Sequence, residues 1–206
     1  MTRRRKLAVT AAIAGAAISA SLALLRYWKP LGGRVAGERL ARAKTSPNWR
    51  DGRFRNLIRT KKGEFWRSVY LQFSGKQLRE PPSPVPIHTL SATDLGEPAE
   101  MRAVWIGHAS VLVDVDGLRL LTDPVWSERC SPFASLGPKR FHPPPIALAD
   151  TGRVDAVVIS HDHYDHLDMP TVEALAARGA TFFVPLGIGA HLERWAVPRA
   201  QIRELD

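Results

Sequence analysis

Apolar and polar residues follow the most regular pattern in the second half of the chain. Residues 102–106, 110–115 and 118–122 are short, apolar-rich stretches, and each predicts a strand. Asp116 and Gly117 separate the second stretch from the third and predict a tight hairpin turn. This part of the chain is therefore expected to begin a sheet with three neighbouring strands.

Strand and helix patterns alternate further along the chain. Residues 154–160 predict a buried strand, and residues 171–178 predict a helix that Gly179 ends. Residues 181–185 predict another strand, residues 190–195 a short helix, and a further strand begins near residue 204. Hairpin strands followed by strand–helix alternation predict a layered α/β domain around a sheet.

The first half of the chain has little sustained hydrophobic periodicity. Residues 81–86 contain four prolines and predict a stiff connector. A set of apolar residues spaced three and four apart predicts an amphipathic helix: Phe65, Trp66, Val69, Tyr70 and Phe73. We expect a signal or anchor in residues 1–25, a basic extension and connector in residues 26–95, and a partial α/β domain in residues 96–206.

Charge is distributed unevenly between the two halves. Residues 1–80 carry 19 Lys/Arg and 4 Asp/Glu, whereas residues 81–206 carry 10 and 16. A basic segment next to an apolar one favours an anionic membrane surface as partner, with an ordinary solvated face as the alternative. No nucleic-acid partner is expected, because the basic residues match no DNA- or RNA-binding motif.

The N-terminus has the composition of a membrane-targeting segment. Residues 3–6 are all basic, and residues 7–25 form a 19-residue run without a charge. That length is sufficient to span a bilayer, so we expect membrane association through an anchor. A cleaved secretory signal is the alternative. Basic residues also follow the apolar run, so the side of the membrane stays open.

Residues 161–166, directly after the predicted buried strand, contain three histidines and two aspartates. Residues two apart at a strand end project to the same side, so His161 and His163 can bind one metal ion together. Asp165 and His166 follow where the chain turns and can reach a second ion. Imidazole and carboxylate without thiolate favour zinc, with iron and manganese as alternatives. The sequence thus predicts a two-metal hydrolytic site, with Asp165 and His166 as catalytic residues.

The sequence resembles the metallo-β-lactamase-fold hydrolases in this motif. Further segments are similar to the N-acylphosphatidylethanolamine-hydrolysing phospholipase D group and its bacterial relatives: residues 46–54, 105–110, 122–127, 137–141 and 184–187. The resemblance implies an αββα sandwich in which His161 and His163 bind one zinc ion and Asp165 and His166 the other. It also implies water-dependent hydrolysis of a phosphodiester, on a lipid or a related substrate.

The family pattern continues beyond the residues of this sequence. The resemblance implies a later His, a bridging Asp and a final His, but 40 residues follow His166 and His191 is their one histidine. His191 lies in a predicted helix and is interpreted as a surface or packing residue. We therefore expect the N-terminal half of the sandwich, with the C-terminal half missing, as in a fragment or a truncated product.

Other residues leave alternatives open. His108 and Asp123 follow strands of the same predicted sheet, and each either supports a metal ligand through a hydrogen bond or has a purely structural role. Cys130 is interpreted as a small packing residue. No substrate-binding residue is assigned. A lactonase on the same scaffold and an inactive incomplete domain are the alternative functions.

Overall fold

A six-stranded sheet forms the centre of the described part of the chain. The computed structural model describes residues 28–58 and 80–206, together with residues 15, 19, 66, 67, 70, 71 and 74. In these residues the strands are β1 (Trp49–Arg50), β2 (Arg53–Phe54), β3 (Met101–Gly107), β4 (Ser110–Val115), β5 (Leu118–Thr122), β6 (Ala156–Val158), β7 (Thr181–Pro185) and β8 (Ile202–Leu205). The helices are α1 (Gly37–Lys44), α2 (Ala92–Leu95), α3 (Met169–Ala177) and α4 (Gly189–Arg194), with short 3-10 turns at Lys29–Leu31, Leu148–Thr151 and Arg199–Gln201.

The sheet is mixed, and its strands lie side by side in sequence order from β3 to β8. β3, β4 and β5 pair antiparallel, whereas β5, β6, β7 and β8 pair parallel. β1 and β2 form a separate two-stranded ribbon. The expected α/β class with a central sheet is confirmed. The described residues contain this one large sheet, which corresponds to one αβ half of the expected sandwich.

The hairpin predicted at Asp116 and Gly117 is confirmed. Both residues adopt positive φ angles, 49° and 74°, as a two-residue turn of type I′ requires. The turn fixes the register of β4 on β5, in which Val111 pairs with Thr122. This register carries the start of β4 to the same edge of the sheet as the end of β5.

The other predicted elements form with small shifts in their ends. The strands expected at residues 110–115, 118–122 and 181–185 have those bounds. The strand expected at 154–160 is shorter, because β6 pairs with β5 and β7 only through residues 156–158. The expected helices at 171–178 and 190–195 correspond to α3 and α4, which begin two residues and one residue earlier.

One hydrophobic core lies between the sheet and the helices that cover it. Leu112, Leu121, Val157 and Phe182 are contributed by four adjacent strands and are fully buried. Leu175 of α3 packs into the same cluster. Each such side chain contributes roughly 1.5–3 kcal/mol when it is removed from water. The core therefore holds β5 and β6 in place and so fixes the positions of their carboxyl ends.

A buried ion pair crosses the antiparallel part of the sheet. Arg119 of β5 and Asp114 of β4 are 1% and 0% exposed, and Arg119 Nε lies 2.7 Å from Asp114 Oδ1. Arg119 Nη2 also donates to Asp114 Oδ2 at 3.0 Å, and Nη1 and Nη2 donate to the carbonyl oxygens of Thr151 and Gly96, respectively. These contacts tie the loops before β3 and β6 to the hairpin.

Residues 28–58 pack against the sheet domain. Arg39 of α1 donates to the carboxylates of Glu204 and Glu193, with its Nε 2.9 Å from Glu204 Oε2. The Lys29 ammonium lies 2.6 Å from Glu173 Oε1. The division at residues 25 and 95 stays a prediction, and the structure places the start of the extension on the domain surface.

Two predictions concern residues that lie largely outside the described part. Nearly all of the apolar run at residues 7–25 lies outside it, as do Phe65, Val69 and Phe73 of the predicted amphipathic helix. Trp66 and Tyr70 are described, and both are helical and exposed. Among the residues that the structure describes, no helix combines the length and apolar character needed to cross a membrane.

Candidate metal centre

Three loops meet where β5 and β6 end. Asp123 follows β5, and residues 159–166 follow β6, whose parallel pairing with β5 brings the two carboxyl ends together. The turn between β3 and β4 reaches the same edge, because Ser110 at the start of β4 bonds through Oγ to the Asp123 carbonyl at 2.6 Å. Carboxyl ends of parallel strands are where ligands bind in open α/β sheets.

The side chains at this edge form two adjoining groups that could each hold a metal ion. One consists of His161, His163 and Asp165, and the other of His108, Asp165 and His166. Within each group the donor atoms all lie within 4.8 Å of one another. Because Asp165 belongs to both, the two groups form a continuous cluster rather than two separate sites. All four residues predicted as metal ligands are therefore brought together.

Asp123 holds one of these histidines in place. Its Oδ2 lies 2.9 Å from His166 Nδ1, and its Oδ1 accepts a hydrogen bond of 2.6 Å from the Ser160 backbone N–H. Asp123 itself is 7% exposed. The contact leaves His166 Nε2 directed toward Asp165 and His108. This is the carboxylate–imidazole arrangement that orients metal-binding histidines.

The donor set fits a borderline or hard metal ion. The two groups combine imidazole nitrogens with a carboxylate that can bridge two ions, and neither includes a thiolate. A purely structural zinc site is usually closed, because four protein side chains fill its coordination sphere, and most often several of them are cysteines. Here His108 and His163 are exposed, so a bound ion would remain accessible to water and substrate.

An apolar cavity of about 580 Å³ opens beside the cluster. His108 and Asp165 line it on the metal side, while Trp105, Val125 and Phe141 form much of its wall. Such a cavity, apolar with a few polar groups at one end, is typical of a small-molecule site. The cluster therefore lies at the side of a partly open cavity.

Arg140 supplies a positive charge at the cavity. Its guanidinium donates to the carbonyl oxygens of Val125 and Ile106, and burial lowers the pKa of the group while leaving it charged. Gly107 makes room for it, since a Cβ at that position would lie 2.5 Å from Arg140 Nη2. Gly107 also has a φ of 138°, which side chains rarely adopt.

Tyr164, Cys130 and His191 belong to neither metal group. The Tyr164 hydroxyl donates to the Pro30 carbonyl at 3.0 Å, and burial raises the pKa of this phenol to about 12. Burial, reinforced by Asp165, raises the pKa of the Cys130 thiol. His191 packs under Gly32 and belongs to neither metal group; burial lowers its pKa.

Sequence reasoning missed the cavity and part of the cluster. It left His108 between a supporting role and a structural one, whereas the structure places its Nε2 3.1 Å from Asp165 Oδ2. Arg140 and Gly107 were not singled out as site residues, although both lie in segments that carry the family resemblance. The catalytic roles predicted for Asp165 and His166 stay predictions.

Comparison with known proteins shows which family part of this chain resembles. Residues 118–206 match the family model described as "Beta-lactamase superfamily domain". This part of the chain is similar to that superfamily domain, and it contains β5 to β8 with all four predicted metal ligands.

Two relatives among the curated proteins match the chain over part of their own length. An uncharacterized protein of Mycobacterium tuberculosis (strain ATCC 25618 / H37Rv) is 43% identical over 98% of this chain and 56% of its own length. The N-acyl-phosphatidylethanolamine-hydrolyzing phospholipase D 1 of Caenorhabditis elegans is 44% identical over 55% of this chain and 31% of its own. The chain spans about half the length of the first of these relatives.

A solved structure gives a weaker similarity. Igni18, a metallo hydrolase from Ignicoccus hospitalis, matches with a TM-score of 0.37 and 25% identity, over 52% of this chain and 40% of that one. The expected resemblance to the phospholipase D group is confirmed by the sequence relatives, which align over part of their length.

Proposed function

We propose that the protein is a metal-dependent hydrolase of phosphodiester bonds. The observation that carries the proposal is the cluster in which Asp165 joins two groups of metal-binding side chains at one edge of the sheet. Hydrolases use such paired sites on phosphoesters, because two ions a few Å apart act on both the attacking water and the phosphoryl oxygens. The match of residues 118–206 to the β-lactamase superfamily model supports the same chemistry.

Some side chains of this cluster would bind the metal ions, and Asp123 would orient one of the metal-binding histidines. His161, His163 and Asp165 would hold one ion, and Asp165 with His166 would hold the second. A bound metal pair would supply hydroxide at neutral pH and neutralise charge on phosphate. Asp123 would keep His166 in the tautomer whose Nε2 is free to bind metal. Zinc is the proposed metal on the basis of this donor set.

A lipid or lipid-like phosphodiester is the proposed substrate. The cavity beside the cluster combines an apolar wall with the positive charge of Arg140. A molecule with an anionic head and an apolar chain would match both properties. The Caenorhabditis elegans relative is named as a phospholipase D acting on N-acyl-phosphatidylethanolamine, which supports the same substrate class.

Metal analysis together with a substrate panel tests this function. The purified full chain would be loaded with Zn²⁺ and assayed on bis-(p-nitrophenyl) phosphate and on a set of lactones. We expect phosphodiester hydrolysis that falls at least tenfold in His163→Ala but not in His88→Ala, because His88 is exposed and outside both groups. Preferential lactone cleavage would instead support the lactonase alternative. A chain that binds no zinc would refute the proposal.

We also propose an anionic membrane surface as the partner of the protein. The support is the uncharged run at residues 7–25 and the loop at residues 127–142, which carries three Lys/Arg and one Glu. Leu136 and Phe141 of this loop are 62% and 58% exposed. Trp28, three residues after the apolar run, stacks on Phe133 of the same loop with ring centroids 4.6 Å apart.

A fluorescent label on the loop tests the membrane surface without removing the N-terminal run. NBD would be attached to Leu136→Cys in a Cys130→Ser background, and vesicles of phosphatidylcholine with or without phosphatidylglycerol would be added. We expect a blue shift with the anionic vesicles only. NBD at Asp150→Cys is the control, since this exposed residue precedes β6 at the opposite edge of the sheet. An unshifted label at position 136 would exclude the loop as the contact surface.

A further inference from the structure

We propose that His108 is a direct ligand of the second metal ion, together with Asp165 and His166. The inference rests on the proposed metal-dependent function and names a ligand that the histidine motif at residues 161–166 does not contain. The turn between β3 and β4 would then contribute one ligand to the metal centre.

The separations of the three donor atoms match one face of a tetrahedral site. His108 Nε2 lies 3.1 Å from Asp165 Oδ2 and 3.2 Å from His166 Nε2, and the third separation is 3.6 Å. A tetrahedron with metal–ligand distances of about 2.0–2.1 Å has edges of roughly 3.3–3.4 Å. The three atoms therefore surround a point at coordination distance from each.

The contact between His166 and Asp123 is consistent with metal coordination by His166 Nε2. Its Nδ1 faces the Asp123 carboxylate at 2.9 Å, which favours the proton on that nitrogen. The lone pair of His166 Nε2 then points toward His108 Nε2. A single proton on His108 shared between His166 and Asp165 is the competing arrangement, and a cation at the same point would satisfy all three atoms.

The backbone holds His108 in a conformation that serves its side chain. Its φ is +50°, in the left-handed region that residues with a Cβ adopt rarely. The Trp105 indole N–H donates to the His108 carbonyl at 3.0 Å, and the buried Ser110 hydroxyl anchors the next strand to Asp123. The surrounding turn thus fixes the backbone from which the His108 imidazole reaches the cluster.

Cobalt binding by the full chain and by His108→Asn tests the assignment. Asn tolerates the left-handed backbone and donates hydrogen bonds, but it is a poor ligand for zinc or cobalt. We expect the wild-type chain to bind two Co²⁺ and His108→Asn to bind the second ion at least tenfold more weakly, with an altered visible spectrum. His142→Asn is the matched control, because His142 lines the same cavity and belongs to neither metal group.

Each outcome separates the ligand assignment from the proposed function. If wild type binds two ions and His108→Asn retains the affinity and spectrum of His142→Asn, His108 is not a ligand and the hydrolase proposal stands. If the wild-type chain binds no metal, the hydrolase proposal itself fails. Thermal unfolding of the metal-free variants, expected to match wild type, shows whether a weakened second site reflects lost ligation or a damaged fold.

Discussion

Asp123 Oδ2 and His166 Nδ1 lie 2.9 Å apart and join the end of β5 to the motif that follows β6. A carboxylate in this position orients the imidazole and makes it a more basic ligand. The same Asp123 carboxylate also accepts from the backbone and hydroxyl of Ser160. One buried carboxylate therefore positions both His166 and the loop that carries it.

Replacing Asp123 by Asn should weaken metal binding without removing a ligand. Loss of the charge lowers the basicity of His166, and substitutions of this kind reduce metal affinity by about 10–100-fold. A competition titration with a chromophoric chelator measures the change. Asp150→Asn is the control, since Asp150 is exposed and remote from the cluster. Equal zinc affinity in the two variants would contradict the role given to Asp123.

Asp114 should stabilise the fold in a manner that depends on pH. Burial by itself raises the pKa of its carboxyl. The hydrogen bond and charge of Arg119 lower the pKa by a larger amount, so the carboxyl has a pKa below its ordinary value. A lowered native pKa contributes stability above the unfolded value of about 3.9, and this stability is lost as pH falls through the native pKa.

The variant Asp114→Asn leaves the buried Arg119 charge without its partner. We expect a loss of about 3–5 kcal/mol in the free energy of unfolding at pH 7, measured by urea denaturation. The gap between variant and wild type should narrow below about pH 4. Asp116→Asn on the same hairpin is exposed and should stay within about 0.5 kcal/mol of wild type. A gap that does not change with pH would argue against the charge pair.

Gly117 should be sensitive to substitution for a purely conformational reason. Its φ is +74°, and no atom lies within 4 Å of the position that a Cβ would occupy. Gly117→Ala should therefore cost about 1 kcal/mol through backbone strain alone. Gly117→Asn should cost clearly less, since Asn tolerates this region. Chemical denaturation compares the two, and identical losses would mean that the turn does not require a left-handed residue.

Cys130 should react slowly in the native protein. Burial and the nearby Asp165 carboxylate raise the pKa of its thiol, which reduces the thiolate fraction at neutral pH. We expect the reaction with a disulfide reagent at pH 8 to be at least tenfold slower in the folded chain than in urea. Cys130→Ala should leave zinc binding unchanged. A fast native reaction would indicate an activated thiol instead of a packing residue.

Local pattern was sufficient to predict most of the sheet and the metal-binding motif. β4, β5 and β7 follow from apolar stretches bounded by turn residues, and the motif at 161–166 carries its chemistry in consecutive residues. The end of β6 was less predictable, because its length is set by pairing with neighbours on both sides. Strand bounds that depend on partners are not encoded in the strand itself.

Residues that reach the site through long-range packing could not be assigned from sequence. His108 is a single histidine in a turn, and its position beside His166 follows from the pairing of β3, β4 and β5. Arg140 comes from a loop without periodicity, and its placement depends on the missing side chain of Gly107. Both require the assembled sheet before their proximity to the cluster can be recognised.

The ion pair between Arg39 and Glu204 has a consequence for the order of folding. The two residues are separated by 165 positions, and Ser46 likewise bonds to Asp206 across 160. Contacts so distant along the chain carry a large loop-closure cost and form late. On the ribosome, α1 emerges long before β8 exists, so it must wait without its docking partner. The β3–β5 meander, whose contacts are local, can form during that interval.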